Sequence, residues 1–289
     1  MTPSFHLFLP QMRMTPDAIV ERAQAAEAAG FEGIAFMDHL VPPLADDQDM
    51  WEAMVIAGWV LARTNSLIVG HLVLCDSLRH PAMLARQVTS LDHASGGRFE
   101  LGIGWGSVPT ELATFDIGST EAPERVTRLG ETLAILRTLW SGEVIDHNGE
   151  HFTLVGARQR PVPTRPIPIT IGGTGRRTLE LVREYADWWN VPIHQLNRLE
   201  THRDAAGSAR VSAQQMIALV PSEGDRQEIT ETVMRRFGHM RPIIGTVPEL
   251  AEHYIAMKAR GVERFYVWFA DFAPVATLRR FAAVIDAAS

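Results

Sequence analysis

The stretch Pro168–Thr178, PITIGGTGRRT, runs from a short β-branched segment through three glycines and directly into a helical pattern. It predicts a strand end, a flexible turn and a helix start within a few residues. A helix start offers free backbone N–H groups and the positive end of the helix dipole, and glycines allow an anion to approach closely. Alone, the stretch indicates a potential phosphate site. Whether it is one depends on where the stretch lies in the fold.

The same alternation of strand and helix extends along the chain. We predict strands at 5–9, 33–37, 67–75 and 98–103, a fifth after Pro168, and further strands at 187–191, 212–220 and 264–269. Helices are predicted between them, among others at 51–63, 122–140, 196–210, 225–238, 248–260 and 275–287. Eight strand–helix units in 289 residues favour a (β/α)8 TIM barrel over a doubly wound sheet.

One segment departs from this rhythm. Residues 144–154 place Asn148-Gly149 between two short β runs, which indicates a β-hairpin. We interpret 142–167 as a small insertion between the fourth and fifth barrel units of a single domain that covers 1–289.

Composition excludes several partners. A formal net charge of -7 opposes nucleic acid binding, and no apolar run is long enough for a membrane span. The lone Cys75 and the absence of a signal peptide pattern favour a reducing cytoplasm. No spacing of His and Cys typical of a metal site occurs, so we expect no metal.

In such barrels the active site forms from the loops that follow the strands. Two long connections, 38–50 and 105–121, open at this end, and loops of that length are usually functional. The residues at strand ends that we select as site candidates are Asp38, His39, His71, Leu72, Gly104, Trp105, Gly106, Gly172, Gly173, Thr174, Gly175 and Arg176. Of four tryptophans considered for an aromatic pocket (Trp51, Trp105, Trp189 and Trp268), only Trp105 is favoured, because glycines flank it.

Several ordered motifs carry a family resemblance. They are RHP at 79–81, SGGR at 95–98, LGIGWG at 101–106, ITIGG at 169–173 and YADWWN at 185–190. Across nearly its whole length the chain resembles the bacterial luciferase-like superfamily. Asp38-His39 after the second strand is similar to the branch that uses coenzyme F420, a deazaflavin.

The resemblance implies an oxidoreductase that transfers a hydride between F420 and a small-molecule substrate, and a homodimer. It also implies that Gly172, Gly173 and Gly175 bind the cofactor phosphate, with Thr174 and Arg176 beside them. The backbone of Gly104, Trp105 and Gly106 would approach the cofactor tail. A strand-three bulge near His71-Leu72, often a non-prolyl cis peptide in this family, would support the deazaflavin ring.

In the family, the counterpart of His39 lies near the reactive carbon as acid or base, with that of Asp38 near the ring. Histidine suits this role because its reference pKa is about 6.5. Some members carry a glutamate where this chain has Ser107, so we expect one carboxylate fewer in the substrate region.

Two alternatives stay open. One is an FMN-dependent monooxygenase supplied by a separate flavin reductase. The other is a protein that binds F420 without catalysis.

Overall fold

The computed structural model describes residues 3–43, 45 and 47–289, and its parallel strands form a barrel with helices outside. The strands are β1 (Ser4–Phe8), β2 (Gly33–Phe36), β3 (Ile68–His71), β4 (Leu74–Cys75), β5 (Leu101–Gly104), β6 (Ile145–Asn148), β7 (Thr153–Ala157), β8 (Ile169–Gly172), β9 (Trp188–Val191), β10 (Arg210–Leu219), β11 (Ile243–Gly245) and β12 (Arg264–Phe269). The helices are α1 (Pro16–Ala28), α2 (Ala53–Leu61), α3 (Pro81–Ser95), α4 (Pro109–Thr114), α5 (Ala122–Ser141), α6 (Arg176–Tyr185), α7 (Leu199–His202), α8 (Arg226–Phe237), α9 (Val247–Ala259) and α10 (Val275–Ala288).

The barrel closes where the third predicted strand meets β5. Neighbouring strands follow the order β3-β2-β1-β12-β10-β9-β8-β5-β4, with β11 added beside β10. The third strand consists of two pieces, β3 and β4. The first is joined by the parallel bridge Val69–Phe99 to the segment that leads into β5, and the second pairs with β5 directly. The predicted TIM barrel is confirmed.

Apolar side chains fill the space between strands and helices. Phe5 on β1 packs edge-on against Tyr254 of α9 and near Phe265 of β12, and Phe281 of α10 closes the same cluster. All four are at least 99% buried. Burying a side chain of this size contributes about 1.5–3 kcal/mol, so such clusters hold the outer helices on the barrel.

One layer of the barrel interior, around Arg264, is polar. Arg264 lies 2.6 Å from Glu100 and 3.3 Å from the hydroxyl of Tyr266, and its guanidinium lies 3.9 Å from the centroid of the Trp188 ring. A void beside this group is lined by His6 and His71. Buried charge needs such partners, because removing one would leave the other desolvated and unpaired.

The His71 side chain lies between the barrel wall and helix α2. Its Nε2–H donates to the carbonyl of Ala53 at 3.1 Å, and its ring packs near Phe99. Burial lowers the pKa of His71 to about 4, so the side chain is neutral near pH 7.

The structure corrects two predicted elements and adds two. The helix predicted at 196–210 is instead a series of 3-10 turns around the four-residue α7, and Gly207 with φ of 69° interrupts it. The third strand is interrupted, as described above. The short α4 inside loop 105–121 and the strand β11 were not predicted, because neither carries an extended apolar period.

The predicted hairpin is present as the antiparallel pair of β6 and β7. Its interpretation as an insertion into a single 1–289 domain stays a prediction.

Helix α2 leaves apolar side chains at the surface. Its sequence, AMVIAGWVL, is apolar throughout, yet Val55 is 70% exposed and Trp59 39% exposed. Met83 of α3, the next helix around the barrel, is also exposed. Within the described residues, no helix has both the length and the apolar character needed to cross a membrane.

Replacing His71 with glutamine, which keeps a donor for Ala53 but cannot be protonated, should flatten the pH dependence of stability. Between pH 6.5 and about 4, His71 is protonated in the unfolded chain but stays neutral in the folded protein. The free energy of unfolding therefore falls as the pH drops. We expect the wild type to lose about 2–3 kcal/mol more than His71→Gln across this window, measured by chemical denaturation. The exposed His239→Gln variant should retain the wild-type slope. Equal slopes for all three proteins would contradict a neutral buried His71.

Candidate active site

A cleft of about 590 Å³ lies at the carboxyl ends of the barrel strands. This volume is within the range of about 300–1,000 Å³ that is usual for small-molecule sites. Ten of the predicted site residues line it: Asp38, His39, Leu72, Gly104, Trp105, Gly106, Gly172, Gly173, Thr174 and Gly175. The fold therefore brings together residues from four separate strand ends.

The other two predicted residues lie elsewhere. The His71 side chain contacts Ala53 at the start of α2 and Phe99, and the residue lines the small interior void rather than the cleft. The Arg176 side chain is 86% exposed and pairs with Glu180 one turn along α6. The structure thus corrects the selection of His71 as a residue of the cleft, and it directs the Arg176 side chain towards solvent.

The interruption between β3 and β4 forms one wall of the cleft. The cis peptide bond joins Leu72 to Val73, one bond later than the predicted position at His71-Leu72. Leu72, Val73 and Leu74 all line the cleft. The glycines of β5 permit this wall: a Cβ at Gly102 would overlap the carbonyl oxygen of His71, and one at Gly104 would lie 2.8 Å from a methyl of Val73.

His39 is paired with a carboxylate that sequence reasoning missed. Its Nδ1 lies 3.0 Å from Oε2 of Glu111, and both side chains are largely buried. The other oxygen of Glu111 accepts hydrogen bonds from the N–H groups of Leu40 at 2.6 Å and Val41 at 3.0 Å. With Nδ1–H directed at the carboxylate, Nε2 is left as the nitrogen that can exchange a proton with a ligand.

Glu111 is also near Ser107, where the expectation of one carboxylate fewer than in some family members stays a prediction. It lies on α4, four residues beyond that serine, and lines the same cleft. The substrate region therefore does hold a carboxylate. The only sequence signal for it was an acidic residue within a long loop at the catalytic end of the barrel.

Asp38 lines the cleft, but both of its oxygens are already bonded. Oδ2 accepts from the N–H of Cys75 at 2.7 Å and from Arg79, while Oδ1 accepts from Arg79 at 3.0 Å. Arg79 also pairs with Glu52 at 2.7 Å. Asp38 thus fixes the end of β2 to β4 and to the RHP motif. Its predicted part in catalysis stays a prediction.

At the end of β8 the chain forms a cradle of backbone donors. Gly173, with φ of 121°, donates to Asn190 O at 3.2 Å and accepts from Trp189 Nε1 at 2.7 Å. The N–H groups of Thr174 and Gly175 that follow donate to no acceptor within the described part of the chain. Gly175 caps the ten-residue α6, so these donors stand at the positive end of a helix dipole.

The tryptophans and Cys75 considered in the sequence differ in their position relative to the cleft. Trp105 and Trp268 line the cleft, whereas Trp51 and Trp189 do not, and the Nε1–H of Trp189 is used by Gly173. Burial raises the pKa of Cys75 to about 11, so its thiol is protonated near pH 7. Among the described residues, no group of three or more His, Cys, Asp and Glu side chains is arranged to hold a metal.

Comparison with known proteins identifies similar sequences and structures. The F420-dependent hydroxymycolic acid dehydrogenase of Mycobacterium tuberculosis is 31% identical over 218 residues, which is 75% of this chain and 59% of that protein. The F420-dependent glucose-6-phosphate dehydrogenase of Microbacterium testaceum is 32% identical over 173 residues, or 60% of this chain and 51% of that protein. The matches thus span about half of these relatives' length.

Among solved structures, an F420-dependent secondary alcohol dehydrogenase in complex with an F420-acetone adduct superposes with a TM-score of 0.85. The match covers 100% of both chains at 19% sequence identity, and the superposition shows a shared fold. The pattern of the luciferase-like monooxygenase family matches residues 2–235. The chain therefore belongs to the luciferase-like monooxygenase family.

Proposed function

We propose that this protein is an F420-dependent oxidoreductase that transfers a hydride between the deazaflavin and a small organic substrate. One observation carries the proposal: a single cleft is lined both by the His39–Glu111 pair and by the donor cradle at the start of α6. The names of both relatives described above, which include F420, support the choice of cofactor.

The cleft fits such a cofactor at two places. The wall of Leu72, Val73 and Leu74 offers an apolar surface for a flat ring system. The N–H groups of Thr174 and Gly175 are the donors that a phosphate requires. Gly104 and Gly106 also line the cleft without side chains, and a Cβ at Gly106 would lie 2.8 Å from the Cys75 sulfur.

Bound F420 supplies a ring carbon that can accept or donate hydride. The protein must then manage the substrate's proton. When an alcohol is oxidised, its carbon gives up hydride and its hydroxyl gives up a proton, which Nε2 of His39 accepts. In the opposite direction Nε2–H protonates the carbonyl oxygen. Glu111 orients the imidazole and stabilises its charged form, and the Leu40 and Val41 amides hold Glu111 in place.

We also propose that the protein is a homodimer that buries the exposed face of α2. A helix that is apolar all round normally lies in a protein interior, and Val55 and Trp59 instead face outwards. A second copy of the same patch covers it through a two-fold axis without any further partner.

Purified protein should bind F420 more tightly than FMN, and the Gly173→Ala variant should weaken F420 binding. Gly173 adopts φ of 121°, and its added Cβ would lie 3.3 Å from Thr178. Strain of about 1–3 kcal/mol in the cradle corresponds to a loss of about 5- to 150-fold in affinity, measured by fluorescence titration.

Gly156→Ala is the matched control, because Gly156 also has positive φ but lies in the hairpin with open space around it. Tighter FMN binding with oxygen-dependent turnover would indicate the monooxygenase alternative. Stoichiometric F420 binding without any redox change across a broad substrate panel would indicate the non-catalytic alternative.

The His39→Asn variant should lose hydride transfer while retaining F420. Loss of general acid–base catalysis slows the reaction by about 100- to 10,000-fold, and single-turnover absorbance of the deazaflavin measures it. Glu111→Gln should slow the same step by a smaller factor, because the imidazole remains but its carboxylate partner does not. Glu143→Gln, at an exposed position after α5, is the control. An unchanged rate for His39→Asn across pH 5–9 would refute the role given to His39.

The Val55→Glu variant should be a monomer, because a buried, unpaired carboxylate opposes association. Sedimentation velocity should give twice the chain mass of 32.1 kDa for the wild type and a single chain mass for the variant. Val155→Glu, at an exposed valine of the hairpin, should remain dimeric. A monomeric wild type, or equal behaviour of the two variants, would contradict an interface on α2.

A further inference from the structure

We propose that the substrate of this site is an uncharged alcohol, or the corresponding ketone or aldehyde, with an apolar substituent, and that the site rejects carboxylates and phosphate esters. The inference rests on the proposed function, because it names the substrate class of the same cleft. It follows from the charges and the apolar side chains that surround the His39–Glu111 pair.

The charged and titratable side chains that line the cleft are the carboxylates of Asp38 and Glu111, the imidazoles of His39 and His194 and the protonated thiol of Cys75. The arginines bonded to residues of this lining do not pair with Glu111: Arg79 binds both oxygens of Asp38 and also Glu52, and Arg125 donates to the carbonyls of Trp105, Ser119 and Thr120. Glu111 is therefore left to face the ligand region with His39 as its side-chain partner.

The two long loops that border the cleft reinforce this negative field. In the sequence, 38–50 and 105–121 contain acidic residues, such as Asp47, Asp49 and Asp116, and neither contains lysine or arginine. An anion held about 6 Å from a carboxylate at an effective dielectric constant of about 20 binds about 100-fold more weakly than its neutral analogue. The field of these loops adds to that discrimination over longer distances.

The other end of the cleft does not provide an alternative place for an anionic substrate. Its donors are the N–H groups of Thr174 and Gly175 at the start of α6. In the proposed function these bind the phosphate of the cofactor, so an anionic substrate would have to compete with F420 for them.

Apolar side chains flank the catalytic pair along the chain. Pro43 follows His39 in the same loop, and Val108 and Leu112 stand on either side of Glu111. All three line the cleft, as do Met240, which lies in the turn after α8, and Trp268 of β12. Each methylene that a substrate buries against such a surface improves binding about fourfold. The site therefore favours an alkyl or aryl substituent next to the reacting carbon.

Matched pairs of alcohols test the inference in the F420-loaded enzyme. 2-Pentanol is compared with 3-hydroxybutanoate, and 2-propanol with lactate, because each pair differs mainly in one carboxylate. We expect the neutral member to have a kcat/KM at least about 100-fold higher. Calorimetric binding of the matching ketones and keto acids to the loaded protein should show the same order without relying on turnover.

Equal or better use of the anionic member would overturn the substrate class while leaving the oxidoreductase proposal intact. Failure to bind F420, or binding of the ketone without any hydride transfer, would overturn the proposed function itself. The two failures are therefore distinguishable.

A charge introduced at Ser107 provides a second test. Ser107 lines the cleft and its side chain is exposed, so a longer side chain there does not disturb the core. Ser107→Lys should raise the relative kcat/KM for the anionic member by about 10-fold or more by supplying a counter-charge. Ser107→Gln, with a neutral side chain of similar reach, should not. The same change in both variants would show that charge does not set the selectivity.

Discussion

The close approach of β5 to the interrupted third strand is the constraint on which the site depends. A side chain at position 102 would overlap the carbonyl oxygen of His71, and one at position 104 would press against Val73. Because both positions are glycine, β5 can pair with β4 and complete the barrel, and the segment Leu72–Leu74 can line the cleft. The glycines of the LGIG motif are therefore required for the close contact between β5 and the third strand. Because they carry no side chains, this part of β5 also leaves space in the cleft.

The loops at the cleft hold one another through a few buried carboxylates. Asp38 binds Arg79 and the backbone of Cys75, which joins the end of β2 to β4. Glu111 binds the His39 side chain and the backbone amides of the two residues after His39. These bonds join the loop after β2 to α4. Hydrogen bonds to charged groups contribute about 1.5–3 kcal/mol each, so these two carboxylates give the loop a defined position. Because His39 lies in this loop, its imidazole is held in a defined position as well.

The barrel could be predicted because each strand–helix unit has its own short-range sequence pattern. Short β-branched runs, glycine turns and helix periods recur in order, and the structure confirms eight strand positions around the barrel. The predicted helix at 196–210 was wrong because its apolar period is short and Gly207 interrupts it. Glu111 was missed for a different reason. Its partner His39 is 72 residues away, and no local pattern in the sequence records a contact of that separation.

The histidines show most clearly where sequence reasoning ends. His39 and His71 both lie at the ends of neighbouring strands, and both were site candidates. The pleat of β3 directs the His71 side chain towards α2, where burial keeps it neutral and Ala53 accepts its one hydrogen bond. His39 lies beyond its strand, beside a carboxylate and at the edge of the cleft. A histidine becomes a proton carrier only where a ligand can reach one nitrogen while a partner holds the other, and in this pair only His39 meets both conditions.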